Sequence, residues 1–341
     1  MKTFTFVLVL AACGSSNSPA PAPGPVAPSA GPSAAPSGAT GKVVERTFHS
    51  DALGVDKRYI VYLPAGYDEK TTTKWPVFYY LHGLGGNEQS WVKGGHIDQA
   101  ADKLGTRALI VMPDGDDGFY ADSAKTVDYD ACMKNGTGLF IPTMQDPAAT
   151  CVKHFAYETY IIKDLIADVD AHYHTNATGQ GRGIAGMSMG GFGAWELALR
   201  HPDLFAAAAS HSGYIGMLYK GPHPYEKGKV TLATVDGMGK APNPMVQWVV
   251  SIFGTAPATW NAHDPEQLIA NMTPGKPALY LDCGTEDDFH FQDPAQYIHD
   301  LLTERHIEHA YFIGPGGHNF GFWGPREIES LKWLQEHVAK P

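Results

Sequence analysis

The run Gly186-Met187-Ser188-Met189-Gly190, continued by Gly191-Phe192-Gly193, constrains this chain more than any other stretch. Arg182 to Ala185 before it reads as a short strand, and Ala194 to Arg200 after it reads as a helix. Strand, tight turn and helix around G-x-S-x-G is the context of a nucleophile elbow. The glycines have a mechanical task, because a serine on so sharp a turn takes a strained backbone and side chains at its flanks would strike the neighbouring strand or helix. A helix N-terminus directly behind the serine favours negative charge developing there. The plainer reading is a glycine-rich turn with an incidental serine, so the rest of the chain must supply partners.

A serine hydroxyl is a weak nucleophile at neutral pH and needs a base within hydrogen-bond reach, itself oriented by a carboxylate. In the α/β-hydrolase order the acid and then the histidine follow the serine, each on a loop after a strand. The apolar run Ala278 to Cys283 is followed by Gly284-Thr285-Glu286-Asp287-Asp288, and His309 to Ile313 is followed by Gly314-Pro315-Gly316-Gly317-His318. Of the 16 histidines, His318 alone stands in a glycine-rich loop directly after a late strand, which makes it the candidate base. Asp287 is the candidate acid, ahead of Asp288 and then Glu286. A solvated acidic loop, or a weak calcium site with Asp293, is the competing account of that run. The tetrahedral intermediate of acyl transfer also needs donors for its oxyanion, and the backbone N–H groups of Met189 and Leu84 stand in the required places. Leu84 lies in His82-Gly83-Leu84-Gly85-Gly86, where His82 is expected to brace the loop. A phosphate loop would need Gly-Lys-Ser/Thr after these glycines, and none follows.

The remaining pattern is that of one α/β domain. Lys42 to Phe48 and Arg58 to Leu63 alternate loosely around a turn, which predicts two antiparallel strands. Pro76 to Leu81 and Arg107 to Met112 are continuous apolar runs, as expected of strands buried on both faces of a parallel sheet. Helices are expected within Asn87 to Leu104, over Tyr157 to His172, over Pro294 to Glu304 and from about Arg326 to Val338, with a strand over Phe205 to Ser210. Asp116 to Phe155 and Gly213 to Asn261 read as irregular. The fold class is therefore a mostly parallel central sheet with antiparallel N-terminal strands and helices on both faces.

The first residues carry a different signal. Lys2 precedes an apolar run from Phe4 to Leu10, and Leu10-Ala11-Ala12-Cys13 resembles a bacterial lipobox, in which the cysteine is acylated. An ordinary secretory signal is the alternative, and both readings export the protein. Gly14 to Gly41 is almost entirely Pro, Ala, Ser and Gly, which cannot bury enough surface to fold. The expected organisation is a signal peptide over 1–12, a lipidated Cys13 with a tether over 13–42, and a catalytic domain over 43–341. The net charge of −11 argues against nucleic acid or an anionic bilayer face as partner. Cys132 and Cys151 flank one loop-like stretch and are expected to form a disulfide in an oxidising compartment, whereas Cys283 lies in an apolar run and reads as a buried thiol. Cysteine spacing implies no metal site, and no cofactor is called for.

Taken together, the His82 to Gly86 loop, Met112-Pro113-Asp114-Gly115 with Phe119-Tyr120-Ala121-Asp122, the elbow, Gly284 to Asp287, and Gly316-Gly317-His318 with Trp323 resemble the esterase family of the α/β-hydrolase superfamily. That family groups esterase D or S-formylglutathione hydrolases, bacterial feruloyl and acetyl-xylan esterases, and mycobacterial mycolyltransferases. The resemblance covers nearly all of 43–341. It implies Ser188, Asp287 and His318 as the triad and Leu84 and Met189 as oxyanion donors. Export sets the chain apart from the cytosolic thioesterases, and nothing shows the long acyl channel of the mycolyltransferases. A tethered carboxylesterase of the feruloyl or acetyl type is therefore expected, acting on short acyl esters of carbohydrate in the cell envelope. Acyl transfer to a sugar or lipid alcohol is the second reading, and a non-catalytic tethered binding protein the third. Tyr120, Trp248, Trp260 and Trp323, with Tyr214 and Phe322, are candidates to line an aromatic cleft. Oligomeric state is left open.

Overall fold

The computed structural model describes residues 39–70, 72–123, 125–135 and 147–341. They belong to the larger of two units of the chain, Ala34–Pro341. The expected leader, Cys13 and nearly all of the tether lie outside the described residues.

The main sheet has eight strands in the order β1-β2-β4-β3-β5-β6-β9-β10. These are β1 Lys42–Ser50, β2 Val55–Leu63, β3 Val77–Leu81, β4 Leu109–Pro113, β5 Arg182–Met187, β6 Ala207–His211, β9 Ala278–Glu286 and β10 His309–Gly317; the short β7 Tyr219–Lys220 and β8 Thr231–Leu232 pair separately. The first two strands form the antiparallel pair expected from their alternation, from Lys42 opposite Leu63 to Ser50 opposite Val55. From β4 through β10 every neighbouring pair is parallel. The continuous apolar runs are thus explained by burial on both faces. Along β3, Val77, Tyr79 and Leu81 enter one core while Phe78 and Tyr80 enter the other. The first core lies under residues 157–172 and the elbow helix Met189–Arg200; the second is covered by Ile97–Leu104 and Phe320–His337.

Parallel strands end at one edge, so the loops after β3, β4, β5, β6, β9 and β10 converge there. That shared edge, more than any single loop, is what assembles a site from residues far apart in sequence.

Several boundaries differ from expectation, among them those of β9 and β10, which run on through Glu286 and Gly317. The elbow helix begins at Met189, not Ala194, and takes in all its glycines. A Cβ on Gly186 would lie 2.2 Å from the Gly190 carbonyl oxygen, and one on Gly190 would lie 2.3 Å from that of Leu81. Close packing of turn on strand, not helix propensity, selects these residues. The final helix starts at Phe320, where the Asn319 side chain accepts the Gly321 N–H at 2.8 Å. The region expected to be irregular from Gly213 to Asn261 holds the helix Pro244–Phe253 and most of Pro257–His263, and a third helix, Pro265–Asn271, follows. Their starts were legible: Asn243 caps the first, Asp264 caps the third, and each begins with proline.

Cys132 and Cys151 are disulfide-bonded with Cα atoms 5.8 Å apart, and Cys283 is a buried free thiol. No helix among the described residues is long and apolar enough to cross a membrane.

Candidate active site

Ser188 stands between β5 and its helix with φ +54° and ψ −119°, a conformation that a side chain adopts only under constraint. The constraint is visible, since the Ser188 N–H donates to the His211 carbonyl at the end of β6, at 2.8 Å. The hydroxyl is thereby presented to the cleft. His318 Nε2 lies 2.8 Å from Ser188 Oγ, and His318 Nδ1 lies 2.6 Å from Asp287 Oδ2. Asp287, His318 and Ser188 therefore form one unbroken hydrogen-bonded line.

Of the three acidic candidates after β9, only Asp287 is buried. Burial alone would raise its carboxyl, but the hydrogen bond and charge of His318, with the N–H groups of Phe289 and Phe291, outweigh that and hold it below the usual carboxylate range. An ionised Asp287 fixes the ring of His318 with Nδ1 protonated, leaving Nε2 to accept a proton. Asp288 is exposed. Glu286 is also exposed and turns aside, accepting from the Thr285 hydroxyl and from the Gly316 N–H, so it ties the acid loop to the histidine loop. Asp293 accepts from the Tyr225 N–H and contacts His223 Nδ1 at 2.8 Å, apart from the acidic run. Cys283, whose thiol burial pushes up, donates to Asp287 Oδ2 at 3.5 Å.

A cleft of about 330 Å³ opens over Ser188. It is lined on the nucleophile side by Leu84, Met189 and His318, and further out by Phe119, Tyr214, Met245, Phe289, Phe320 and Trp323. No Asp, Glu, Lys or Arg is among these lining residues. Leu84 and Met189 thus flank the serine as expected, and among the described residues no hydrogen bond takes the N–H of either. His82 braces the loop, contacting the Gly83 carbonyl at 2.8 Å and accepting the Gly115 N–H at 2.9 Å.

The aromatic candidates divide. Trp323 lines the cleft, its ring edge-on to His318 at 4.9 Å and its Nε1–H donating to Ser212 Oγ. Tyr214 lines it too. Tyr120, Trp248 and Trp260 do not, which corrects their assignment to substrate binding. Tyr120 is fully buried and donates to the His82 carbonyl at 3.0 Å; Trp260 is fully buried and donates to Gly254; Trp248 donates to the Asp117 carbonyl at 2.9 Å. Tyr120 and Trp260 are buried and their polar atoms must be satisfied, and each of the three rings has a backbone acceptor. Phe322 is likewise core. Phe119, Met245, Phe289 and Phe320 replace them. Phe289, two positions after Asp287, stays half-exposed at the cleft.

Elsewhere, Glu158, Glu196 and His263 bring potential ligand atoms within 4.8 Å of one another. Arg200 Nη1 contacts all three, at 2.5, 2.7 and 2.9 Å, so a guanidinium already supplies the positive charge there.

The family model described as Putative esterase matches residues 50–334. A Mycobacterium tuberculosis esterase is 32% identical over 167 residues, 49% of this chain and 31% of that protein. A Xylanibacter ruminicola endo-1,4-beta-xylanase/feruloyl esterase is 30% identical over 212 residues, 60% of this chain and 25% of that protein. The alignments thus span about a third or less of the length of these curated relatives. Among solved structures, an S-formylglutathione hydrolase from Agrobacterium tumefaciens aligns with a TM-score of 0.64 at 18% identity, covering 89% of this chain and 98% of its own, which shows a shared fold. With the sheet order, the elbow and a family match running from the first hairpin to the last helix, the chain belongs to this esterase family of the α/β-hydrolase superfamily.

Proposed function

We propose that the chain is a serine carboxylesterase working through an acyl-enzyme. The observation that carries this reading is the continuous line Asp287–His318–Ser188, which ends at the mouth of a cleft. His318 Nε2 takes the Ser188 proton as Oγ attacks the ester carbonyl. The oxyanion is received by the N–H groups of Leu84 and Met189, at the N-terminus of the elbow helix. His318 then protonates the departing alcohol, and the same nitrogen draws a proton from water as it hydrolyses the acyl-enzyme. Asp287 stays ionised throughout and stabilises the imidazolium.

The substrate we infer is a short or aromatic acyl ester of carbohydrate, of the feruloyl or acetyl type. An uncharged, largely aromatic wall supports an uncharged, flat acyl group. The feruloyl esterase relative supports the same class. We place the enzyme outside the cytoplasm on a lipid-anchored tether at Cys13; the lipobox-like sequence and a disulfide between Cys132 and Cys151 support this. The test is a panel of methyl ferulate, acetylated xylan, p-nitrophenyl acetate and a thioester, run on the native protein and on Ser188→Ala. Turnover that persists in the variant would remove Ser188 from the mechanism, and preference for the thioester would overturn the substrate class.

A further inference from the structure

The loop that carries Leu84 is tied to the segment following β4 at three points. The Gly115 N–H donates to His82 Nε2 at 2.9 Å, the Tyr120 hydroxyl donates to the His82 carbonyl at 3.0 Å, and the Gly85 N–H donates to Asp117 Oδ1 at 2.7 Å. The first two hold the residue by which the loop leaves β3. Only the third reaches the far side of Leu84. Peptide units are planar, so holding the Gly85 N–H holds the plane that closes Leu84 on its C-terminal side, while His82 and its bond to the Gly83 carbonyl hold the other. The Leu84 N–H can then turn only by breaking one of these contacts.

Asp117 is itself held unusually firmly. Asp116, Phe119 and Tyr120 around it have φ of +46°, +51° and +53°, a conformation that persists only where surroundings over-determine it. Lys57, fully buried, bridges Asp114 and Asp116 at 3.0 and 2.9 Å, and the Tyr157 hydroxyl donates to Asp116 at 2.7 Å. Trp248 donates to the Asp117 carbonyl from the helix Pro244–Phe253, whose Met245 lines the cleft. The result is an acceptor aimed at the Gly85 N–H.

We propose that Asp117 is a positioning residue for the oxyanion site, its carboxylate oxygen setting the direction of the Leu84 N–H through Gly85. The proposal rests on the reading above that Leu84 receives the oxyanion. A negative charge close to a site that stabilises negative charge works against catalysis, so the acceptor position of Oδ1 is the useful property and the charge is not. Asn keeps the acceptor without the charge, and Ala removes both.

The experiment compares Asp117→Asn and Asp117→Ala with the native enzyme on p-nitrophenyl acetate, together with amide hydrogen exchange at Gly85 by NMR. Asp117→Ala is expected to lower kcat by about 10- to 100-fold, a part of what losing an oxyanion donor outright costs, with KM within about 2-fold. Asp117→Asn is expected to keep kcat within about 3-fold or to exceed the native value. The Gly85 amide should be protected in the native and Asn proteins and exposed in the Ala protein. An unchanged kcat in Asp117→Ala, a loss confined to KM, or an Asn variant as slow as Ala would overturn the proposal. Gly85 exchange is independent of turnover: an unprotected amide in the native protein sinks the positioning role alone, whereas no native ester turnover sinks the esterase reading alone. Thermal melts show whether any loss is merely unfolding.

Discussion

Among the described residues two Ser–His–Asp lines stand out, and one of them faces the cleft. Ser188–His318–Asp287 has spacings of 2.8 and 2.6 Å; Ser330–His211–Asp282 has spacings of 2.9 Å from serine to Nε2 and 2.9 Å from Nδ1 to carboxylate. By residue type and distance they are nearly interchangeable. The second is sealed, with Ser330 and His211 at 0% exposure and Asp282 at 1%. Its serine lies inside the helix Phe320–His337, contacts the Tyr80 hydroxyl and donates to the Glu327 carbonyl, so its oxygen is already engaged. Its acid also accepts from Tyr280 and from Arg326, whose guanidinium neutralises it. The first line instead has a strained serine at a helix N-terminus and an apolar cleft above it. What separates a candidate catalytic triad from a structural brace is therefore access and the presence of oxyanion donors, not the triad spacing. The two also touch: the carbonyl of His211 holds the Ser188 N–H, so the brace supports the elbow.

The sharpest way to break this comparison is to remove each serine in turn. Ser188→Ala should lower kcat for an activated ester by about 10⁴-fold or more with the melting temperature unchanged, while Ser330→Ala should leave kcat within about 2-fold. Ser330→Ala should instead cost about 1–3 kcal/mol in denaturant unfolding, because buried His211 and Tyr80 each lose a partner. Ser330→Ala abolishing turnover in a stable protein would erase the distinction. The acids come next. Asp287→Asn should cut kcat by about 10²- to 10⁴-fold by disfavouring the productive histidine tautomer. Asp282→Asn should cost about 1–3 kcal/mol of stability, because the half-buried Arg326 loses its counter-charge and buried His211 loses a charged partner. Burial would raise Asp282, but His211 and Arg326 outweigh it and hold its carboxyl below the usual range. The stability it contributes is therefore present above the unfolded pKa, about 3.9, and is lost as pH falls through the lower folded value. The melting-temperature gap between native and Asp282→Asn protein should hold from pH 7 to 5 and close below about pH 4.

The smallest effect on turnover is expected one turn before Ser330. Glu327 is buried, and burial, with the charge of Asp98, pushes its carboxyl up to about 9. The folded chain keeps that proton while the unfolded chain, near 4.5, releases it, so stability declines as pH rises between the two values. Glu327→Gln cannot ionise in either state. Its melting temperature should match the native protein near pH 4 and exceed it by a margin that widens as pH rises towards 8, with kcat unaltered.

The elbow and the grouping of Asp287 and His318 with Ser188 were legible because each is written locally, as glycines that only close packing explains and as a polar run after an apolar one. The preference for Asp287 over Asp288 also agrees with the burial found. Trp323 and Tyr214 were legible in the aromatic wall, whereas Phe119, Phe289 and Phe320 were not, because Tyr120, Trp248 and Trp260 are aromatic in the same way and differ only in which face their elements turn to the core. The sealed line was equally invisible. His211, Asp282 and Ser330 lie on β6, β9 and the last helix, and nothing within any one segment marks them as partners. The helices after Gly213 are hard to read for a different reason, since Pro marks loops as well as the first turn of a helix.

Sequence by itself determined the order of the strands along the chain, the sharp turn at Ser188 and the chemical types that could serve it. These are set by local sterics and hydrophobic period, which act over a few residues. Only the tertiary structure decided which of two similar hydrogen-bonded lines opens to solvent, which aromatics face a substrate, and that Asp117 reaches the loop of Leu84. Those outcomes depend on the parallel sheet bringing distant strand ends to one edge, a consequence of packing the whole chain at once.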